Sequence, residues 1–454
     1  MSSSIKFNKF LSAIAIVSNA LTAAGIFTFS LFAPSFTSNL NLSLKQISTI
    51  ASVSNLVHYI SAVFWGSLAD RVGTNRVSLL AGILSFSGYG ILSYLLSSPP
   101  DLIPHPVDSN STLRPFIIAI LAYSLCGIAT AAAFFSAITG STQIFGSTHP
   151  GLSVAGPSAL FAFSPILLSF LGTQLFSQKD AFDSSGYLAM LAFLTLLVNS
   201  FSAFQLKPSL PKALSDLNSD SSERTALLSS NDISQPSSSQ PPPTEPDSAL
   251  SFLLQPTVWL LGIIVLLASG PAEMTIASIG SVLDVQQPGI GISYKAKHVQ
   301  LMSISNTLTR IISGWLSDEL CGSHSGRRLI FLSAGPFLYV IACFYVATSG
   351  RVLWVLSLAT GITYGIVFSI APSLVAIVWP ISSFGRNYGL ILSFSATGSF
   401  IFTLLFGLLV KTSQTDEDSQ SLQLVYALCG LFEFISVGLA ALLYQVYWRH
   451  HRNA

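Results

Sequence analysis

Twelve apolar runs in this chain are each long enough to cross a lipid bilayer as a helix, which takes roughly 20 residues. The first six lie at about 10–32, 46–67, 77–97, 115–138, 150–175 and 186–206. The second six lie at about 252–281, 298–317, 328–347, 352–379, 385–410 and 422–447. Only 9% of the 454 residues are charged, whereas soluble domains carry about 25%. We therefore predict an all-α polytopic membrane protein with twelve transmembrane helices.

A polar segment separates the two sets of six runs. Residues 207–250 include SSSQPPPTEPD and are too polar to bury a core. The sequence therefore predicts an N-terminal six-helix bundle (1–206), a flexible polar cytosolic linker (207–250), a C-terminal six-helix bundle (251–448) and a short cytosolic tail (449–454). Twelve Lys and Arg residues lie on the side of the chain ends and seven on the other side, which predicts that both termini are cytosolic.

Composition and motifs argue against several other classes of protein. A net charge of +1 leaves no electrostatic footprint for nucleic acid. The four cysteines have no spacing typical of a disulfide framework or a zinc site. The sequence contains no G-x-x-x-x-G-K-[ST] loop, no nucleophile–base constellation and no cluster of metal ligands. We expect neither an enzyme nor a cofactor, no catalytic residues and no metal site.

A short motif occurs twice, each time after the second apolar run of its half. The first cassette is FWGSLADRVGTNR (64–76), and the second cassette is LTRIISGWLSDELCGSHSGRR (308–328). Their aspartates, Asp70 and Asp318, are 248 positions apart (318 − 70), about half the chain. This repetition indicates that the chain consists of two copies of one bundle.

Two six-helix halves, a polar linker and a Gly-Asp-basic cassette in each half resemble the major facilitator superfamily. The resemblance implies two pseudo-symmetric bundles and a latch between them that closes in one state and breaks in the other. Glycine lets helices approach closely, and a carboxylate can meet the positive amino end of a facing helix. The alternative is a loop that only marks topology. The predicted latch residues are Gly66, Asp70, Arg71, Gly314, Asp318, Arg327 and Arg328.

A narrower resemblance links the chain to monocarboxylate transporters. Arg310 lies four residues before Gly314, as does their helix-8 arginine, and Asn306 stands where they carry an aspartate. Three further segments carry the likeness: HPGLSVAGPSALFAFSP (149–165) resembles the start of their helix 5, AAGIFTFSLFAPSF (23–36) resembles the nodulin-like branch, and GPAEMTIASIG (270–280) is similar to the fungal monocarboxylate-transporter homologues.

Ionisable residues inside the runs are candidate functional groups, because a charge at the bilayer centre costs ~2.5–3.5 kcal/mol on insertion scales. Arg310 is a counter-charge for an anionic substrate or a side chain that snorkels to the headgroups. Glu273 follows a Gly-Pro pair and either carries a proton or is a neutral acid bonded to a neighbouring helix. For His58 and Glu433 we expect hydrogen bonds between helices.

The resemblance implies that helices 1, 4, 7 and 10 line the cavity, so Tyr364 in GITYG is a substrate contact or a packing residue. The predicted substrate-binding residues are Arg310, Glu273, Tyr364 and Asn306. We expect a secondary active transporter of a small organic anion such as a monocarboxylate, with a proton as the candidate co-ion. The alternative is a non-transporting solute sensor with a carrier fold.

Targeting and modification motifs are also present. Asn41 and Asn110 begin N-x-[ST] sequons on the predicted non-cytosolic side. In the linker, Glu223 precedes the pair Leu227 and Leu228 by four and five residues. This pattern resembles the acidic dileucine signal that adaptor complexes read to sort cargo to vacuoles, and it implies the vacuolar membrane as the location.

Replacing Leu227 and Leu228 with Ala removes the two side chains that an adaptor would bind. We expect a tagged double variant to leave the vacuolar membrane for the cell surface, as seen by fluorescence microscopy. The matched control replaces Leu214 and Leu217 of the same linker with Ala. A Leu227 and Leu228 variant that stays at the vacuolar membrane would remove the sorting hypothesis.

Overall fold

A computed structural model describes residues 2–97, 113–178, 181–206, 249–287, 292–321, 325–348, 350, 352–410 and 416–451. The N-terminal half contains α1 (Ser2–Ala23), α2 (Phe29–Leu40), α3 (Leu44–Val72), α4 (Thr74–Ser97), α5 (Leu113–Phe145), α6 (Pro150–Phe176) and α7 (Ser184–Gln205). The C-terminal half contains α8 (Ala249–Leu253), α9 (Pro256–Gln286), α10 (Ile292–Cys321), α11 (Ser325–Ala347), α12 (Leu353–Val378), α13 (Phe384–Leu409) and α14 (Asp416–His451). Strands β1 (Ser177–Gln178) and β2 (Ala181–Phe182) form a small antiparallel pair.

The predicted fold class is confirmed. Helices α1 and α2 together make the first span, and α3–α7 and α9–α14 make the others. Ten spans are long and apolar enough to cross a membrane by length and composition. The other two, α3 and α10, contain the first part of each cassette, including its aspartate, and several charged residues. Each of them packs along the opposite half, α3 against α13 and α10 against α6, where polar groups find partners.

Several predictions fall outside the described residues: the sequon at Asn110, the sorting residues Glu223, Leu227 and Leu228, and the last three residues of the tail. Asn41 is described. It is exposed at the end of α2, where its φ of 52° is left-handed, a conformation that Asn tolerates. Helix α8 begins at Ala249, so the last two residues of the predicted linker are helical.

The first span is broken rather than continuous. We expected one helix over 10–32, but α1 ends at Ala23 and a 3₁₀ turn, Gly25–Thr28, precedes α2. Gly25 lies against α4, where an added Cβ would be 2.6 Å from the Tyr89 hydroxyl. The Thr28 hydroxyl donates to the Gly25 carbonyl at 2.7 Å. This break places Phe27 at the interface between the halves, in the cavity described below.

The apolar cores differ between the two membrane faces. We call the face where α1 begins and α14 ends the terminal face. One buried cluster includes residues of both halves, such as Trp65 and Ala69 with Phe384 and Tyr388, towards the terminal face. Towards the opposite face each half has its own cluster, one around Tyr123 and one around Tyr339. Within the described residues, the core shared by both halves therefore lies towards the terminal face, and the separate cores lie towards the opposite face.

Candidate functional site

The aspartate of the first cassette binds the amino end of a helix in the other half. Asp70, near the end of α3, accepts hydrogen bonds from the backbone N–H groups of Gly385 (3.0 Å) and Arg386 (2.7 Å). These are the second and third residues of α13. The first N–H groups of a helix have no partner within it, and they concentrate the positive end of its dipole. One carboxylate therefore joins α3 to α13.

The second cassette makes the equivalent contact with the roles of the two halves exchanged. Asp318, near the end of α10, accepts hydrogen bonds from the backbone N–H groups of Gly151 (2.7 Å) and Leu152 (2.8 Å), the second and third residues of α6. The buried Arg328 of α11 forms an ion pair with Asp318 at 2.7 Å. Its other terminal nitrogen donates to the Ser317 hydroxyl at 2.7 Å, which orients the guanidinium.

Glycines on both sides allow each contact. An added Cβ at Gly385 would lie 2.5 Å from the carbonyl oxygen of Gly66. One at Gly151 would lie 2.6 Å from the carbonyl oxygen of Gly314 and 2.7 Å from Asp318 Oδ1. Any side chain at these positions would push the helices apart, because backbone cannot yield as a flexible side chain does. We call Asp70 with Gly66 and Gly385, and Asp318 with Gly151 and Gly314, the two latches.

Two residues predicted for the latch lie elsewhere. Arg71 and Arg327 are exposed, and in the described part of the chain neither has an ion pair. Arg71 directly follows Asp70, and Arg327 directly precedes Arg328, the ion-pair partner of Asp318. Adjacent helical residues point about 100° apart, so the neighbour of an inward-facing group projects away from the contact.

A cavity of about 60 Å³ lies between the two halves. It is lined by Phe27, His58, Tyr59, Ala62, Phe134, Phe135, Phe161, Arg310, Tyr364, Phe368, Tyr388 and Leu392. Its walls come from both bundles, including α3, α5 and α6 of one half and α10, α12 and α13 of the other. Two of the four predicted substrate-binding residues, Arg310 and Tyr364, are in its lining.

Arg310 is buried and points into the other half instead of snorkelling to the headgroups. Its Nη1 donates to the carbonyl oxygen of Ser158 in α6 at 2.9 Å and also to the Ser158 hydroxyl. Its Nε donates to Asn306 Oδ1 at 2.9 Å, so Asn306 positions the arginine. The guanidinium carbon lies 5.1 Å from the ring centroid of Phe368 and 5.6 Å from that of Tyr364. These contacts are cation–π interactions.

Glu273 links the two halves beside this cavity. Its Oε1 accepts hydrogen bonds from the hydroxyls of Tyr364 in α12 (2.8 Å) and Tyr59 in α3 (3.0 Å). Tyr59 and Tyr364 both line the cavity. Glu273 directly follows Gly270-Pro271 and Ala272 in α9, and the hydroxyl of Tyr339 donates to the Pro271 carbonyl at 3.0 Å. This carboxyl therefore lies one side chain away from the cavity.

The other two ionisable residues inside the spans, His58 and Glu433, are both buried. His58 is buried beside the rings of Phe27 and Phe161, and in the described part of the chain its Nδ1 has no hydrogen-bond partner, so the expected bond between helices stays a prediction. Within the described residues, both carboxyl oxygens of Glu433 are buried without a partner, so the expected bond of Glu433 was wrong. Helix α14 presents Glu433 to the apolar interior of its own half, where Gly430 meets Cys343 and Phe344.

Tyr59 is the functional candidate that sequence reasoning missed. It lies in the run that leads to the first cassette, three helical turns before Asp70. A tyrosine in an apolar run resembles an interfacial or packing residue, and nothing local distinguished it. Only the approach of α3 to α9 and α12 shows that its hydroxyl shares an acceptor with Tyr364.

Known proteins resemble this chain over most of its length. The family model described as "Major Facilitator Superfamily" matches residues 15–403. "Probable transporter MCH1" of Gibberella zeae is 28% identical over 452 residues, covering 85% of this chain and 78% of that protein. "Probable transporter MCH1" of Saccharomyces cerevisiae is 28% identical over 414 residues, covering 86% and 82%.

Solved structures share the fold at low identity. The proton:xylose symporter XylE has a TM-score of 0.64 at 12% identity, covering 96% of this chain and 95% of its own. The transporter FucP in its outward conformation has a TM-score of 0.62 at 14% identity, covering 94% and 98%. At such identities the likeness concerns the fold alone.

If the latches close the terminal face, weakening one of them should expose a thiol that is buried there. Cys321, three residues after Asp318, is buried at the terminal face. Asp70→Asn weakens the other latch, and a hydrogen bond to a charged group contributes about 1.5–3 kcal/mol. We therefore expect a membrane-impermeant maleimide to label Cys321 about tenfold faster or more in Asp70→Asn.

Two controls accompany that measurement. Cys321→Ser identifies the labelled thiol, and Glu319→Gln changes an exposed carboxyl one residue from Asp318 and should leave the labelling rate unchanged. An unchanged rate in Asp70→Asn would mean that the first latch does not hold the terminal face closed.

Proposed function

Because the chain belongs to the major facilitator superfamily, and is thus a membrane transporter rather than an enzyme, we propose that it carries a small organic anion by alternating access. The anion binds between the halves at Arg310, and a proton on Glu273 accompanies it. The observation that supports this most directly is a buried guanidinium in an aromatic cavity between the bundles. A buried cation there costs free energy unless an anion or fixed dipoles compensate it.

The hydrogen bonds of Arg310 leave one nitrogen for a ligand. Nε is bound to Asn306 and Nη1 to Ser158. In the described part of the chain, Nη2 has no hydrogen-bond acceptor among those contacts, and Arg310 lines the cavity. A carboxylate could accept from this nitrogen in a charge-assisted bond. In the described chain no other Lys or Arg lines the cavity, so one negative charge suits the site, as in a monocarboxylate.

Glu273 can couple a proton to this binding. Tyr59 and Tyr364, from different halves, both donate to one of its oxygens. Two donors stabilise the ionised carboxylate, and protonation weakens it as an acceptor. Protonation of Glu273 therefore loosens a link between the halves beside the bound anion. This arrangement would let a proton and an anion together favour the rearrangement of the halves.

The state of the molecule suggests the first step of the cycle. The two latches and the common core hold the halves together at the terminal face, while their cores are separate towards the opposite face. Cargo would then reach the cavity from the opposite face. Release at the terminal face would require both aspartates to leave the helix ends that they bind.

Location and topology are part of the proposal. The Lys and Arg bias supports a cytosolic terminal face, and the dileucine pattern of the linker supports the vacuolar membrane and an adaptor complex as a partner. The opposite face would then be luminal. Asn41 ends α2 on that side and is exposed, and it is the described candidate for glycosylation, with Asn110 as the second.

Arg310→Gln keeps a hydrogen-bonding side chain but removes the charge. We expect the uptake of labelled pyruvate and labelled benzoate into proteoliposomes, corrected for protein-free liposomes, to fall about tenfold or more. The physical reason is the loss of a charge-assisted contact of about 1.5–3 kcal/mol. Arg327→Gln removes an exposed arginine and should keep the uptake of the parent protein. Equal uptake by Arg310→Gln would refute the counter-charge role.

Glu273→Gln keeps the shape of the side chain and cannot release a proton. We expect it to abolish the stimulation of uptake by an imposed inward proton gradient, while exchange of labelled for unlabelled anion without a gradient persists. Exposed Glu319→Gln serves as the control. A variant whose uptake still rises with the gradient would show that Glu273 is not the proton carrier. Anion binding without flux in the parent protein would instead favour the sensor.

A further inference from the structure

The cavity walls are far more aromatic than a site for a small aliphatic acid requires. Of the twelve lining residues in the described chain, eight carry a phenyl or phenol ring. Only Ala62 and Leu392 supply aliphatic surface. Ligand pockets combine apolar and aromatic walls with a few polar groups that set orientation. Here the walls offer flat faces and ring edges almost everywhere except at the arginine.

Three rings of the N-terminal half form one cluster on the cavity wall. Phe27 meets Phe161 edge to face, with ring centroids 6.1 Å apart and planes at 86°. His58 stacks parallel to Phe161 at 6.4 Å. Phe27 is 43% exposed, and the break between α1 and α2 places it there. Such rings offer both edges and faces to another aromatic ring, which prefers offset or edge-to-face contacts.

The C-terminal half supplies the charge. Arg310 lies over the rings of Tyr364 and Phe368, which hold the guanidinium without forming an ion pair with it. Its Nη2 is the nitrogen left by Asn306 and Ser158. A ligand that spans the cavity therefore meets a single cationic group on one side and an aromatic cluster on the other.

We propose that the anion is a compact monocarboxylate with one aromatic ring, whose carboxylate binds Arg310 and whose ring packs on Phe27 and Phe161. This inference rests on the proposed function and narrows its substrate class. The cavity of about 60 Å³ is small, which favours one ring over a fused ring system. The flat ring, rather than its apolar surface alone, is the recognised feature.

Matched ligands test this directly. The purified full-length protein in lipid nanodiscs is titrated by calorimetry with benzoate, cyclohexanecarboxylate, pyruvate and 2-naphthoate. Benzoate and cyclohexanecarboxylate share a carboxylate and six ring carbons, and they differ in flatness and π-electrons. We expect the Kd of benzoate to be lower by about fivefold or more than that of cyclohexanecarboxylate, the size of one to two aromatic pair contacts. Pyruvate and 2-naphthoate should bind more weakly than benzoate.

Substitutions of the cavity rings test which side chains produce the preference for an aromatic anion. Phe161→Leu and Phe27→Leu should bring the Kd ratio of cyclohexanecarboxylate to benzoate close to one. Phe170→Leu, in the same helix as Phe161 but 59% exposed on the outer surface, should keep the ratio of the parent protein. If Phe161→Leu fails to fold by thermal unfolding, Phe27→Leu still decides, because Phe27 lies at a helix break. Unchanged ratios in both ring variants would overturn the proposal.

The outcomes separate this inference from the function on which it rests. Benzoate binding that is tightest and is weakened by Arg310→Gln supports both. If all four anions bind equally and all are weakened by Arg310→Gln, the ring preference is wrong and the anion carrier stands. If no anion binds, or if Arg310→Gln changes nothing, the proposed function itself is wrong.

Discussion

Two carboxylates at helix ends hold the halves of this transporter together at one face. Asp70 and Asp318 each accept two backbone N–H groups from the amino end of a helix in the other half. Such N–H groups have no partner within their own helix, so the contact satisfies donor and acceptor at once. Its geometry requires backbones to touch, which explains the glycines at each latch. The cavity and its arginine lie between the bundles that these contacts join.

The buried polar groups near the cavity also form hydrogen bonds between the two halves. Arg310 of the C-terminal half binds Ser158 of the N-terminal half, and Glu273 binds Tyr59. Polar groups in a membrane protein are costly unless they face a partner or a water-filled cavity. In the proposed cycle these links exchange partners when the halves rock, and a substrate anion or a proton supplies the replacement.

The sequence correctly predicted those properties that depend on a single segment of the chain. Long apolar runs predicted the spans, and the repeated cassettes predicted two related halves and the latch aspartates. The predictions failed where the orientation or partner of a residue depends on the helices packed around it. Arg71 and Arg327 fit the motif but point outwards, Glu433 has no partner among the described residues, and the first span breaks at Gly25–Thr28. Tyr59 gave no signal at all, because its role depends on a helix of the other half.

The sequence by itself determined that the chain lies in lipid, how many times it crosses the bilayer and that its two halves are related. It also identified the charged residues inside the spans, which need a partner in the membrane. These follow from hydropathy, chain length and spacing, which are properties of single segments. The tertiary structure decided which charges meet, which face is closed and which rings enclose the arginine. Those properties depend on pairs such as Asp70 with Gly385, 315 positions apart, and no periodicity within one helix can specify the register against another.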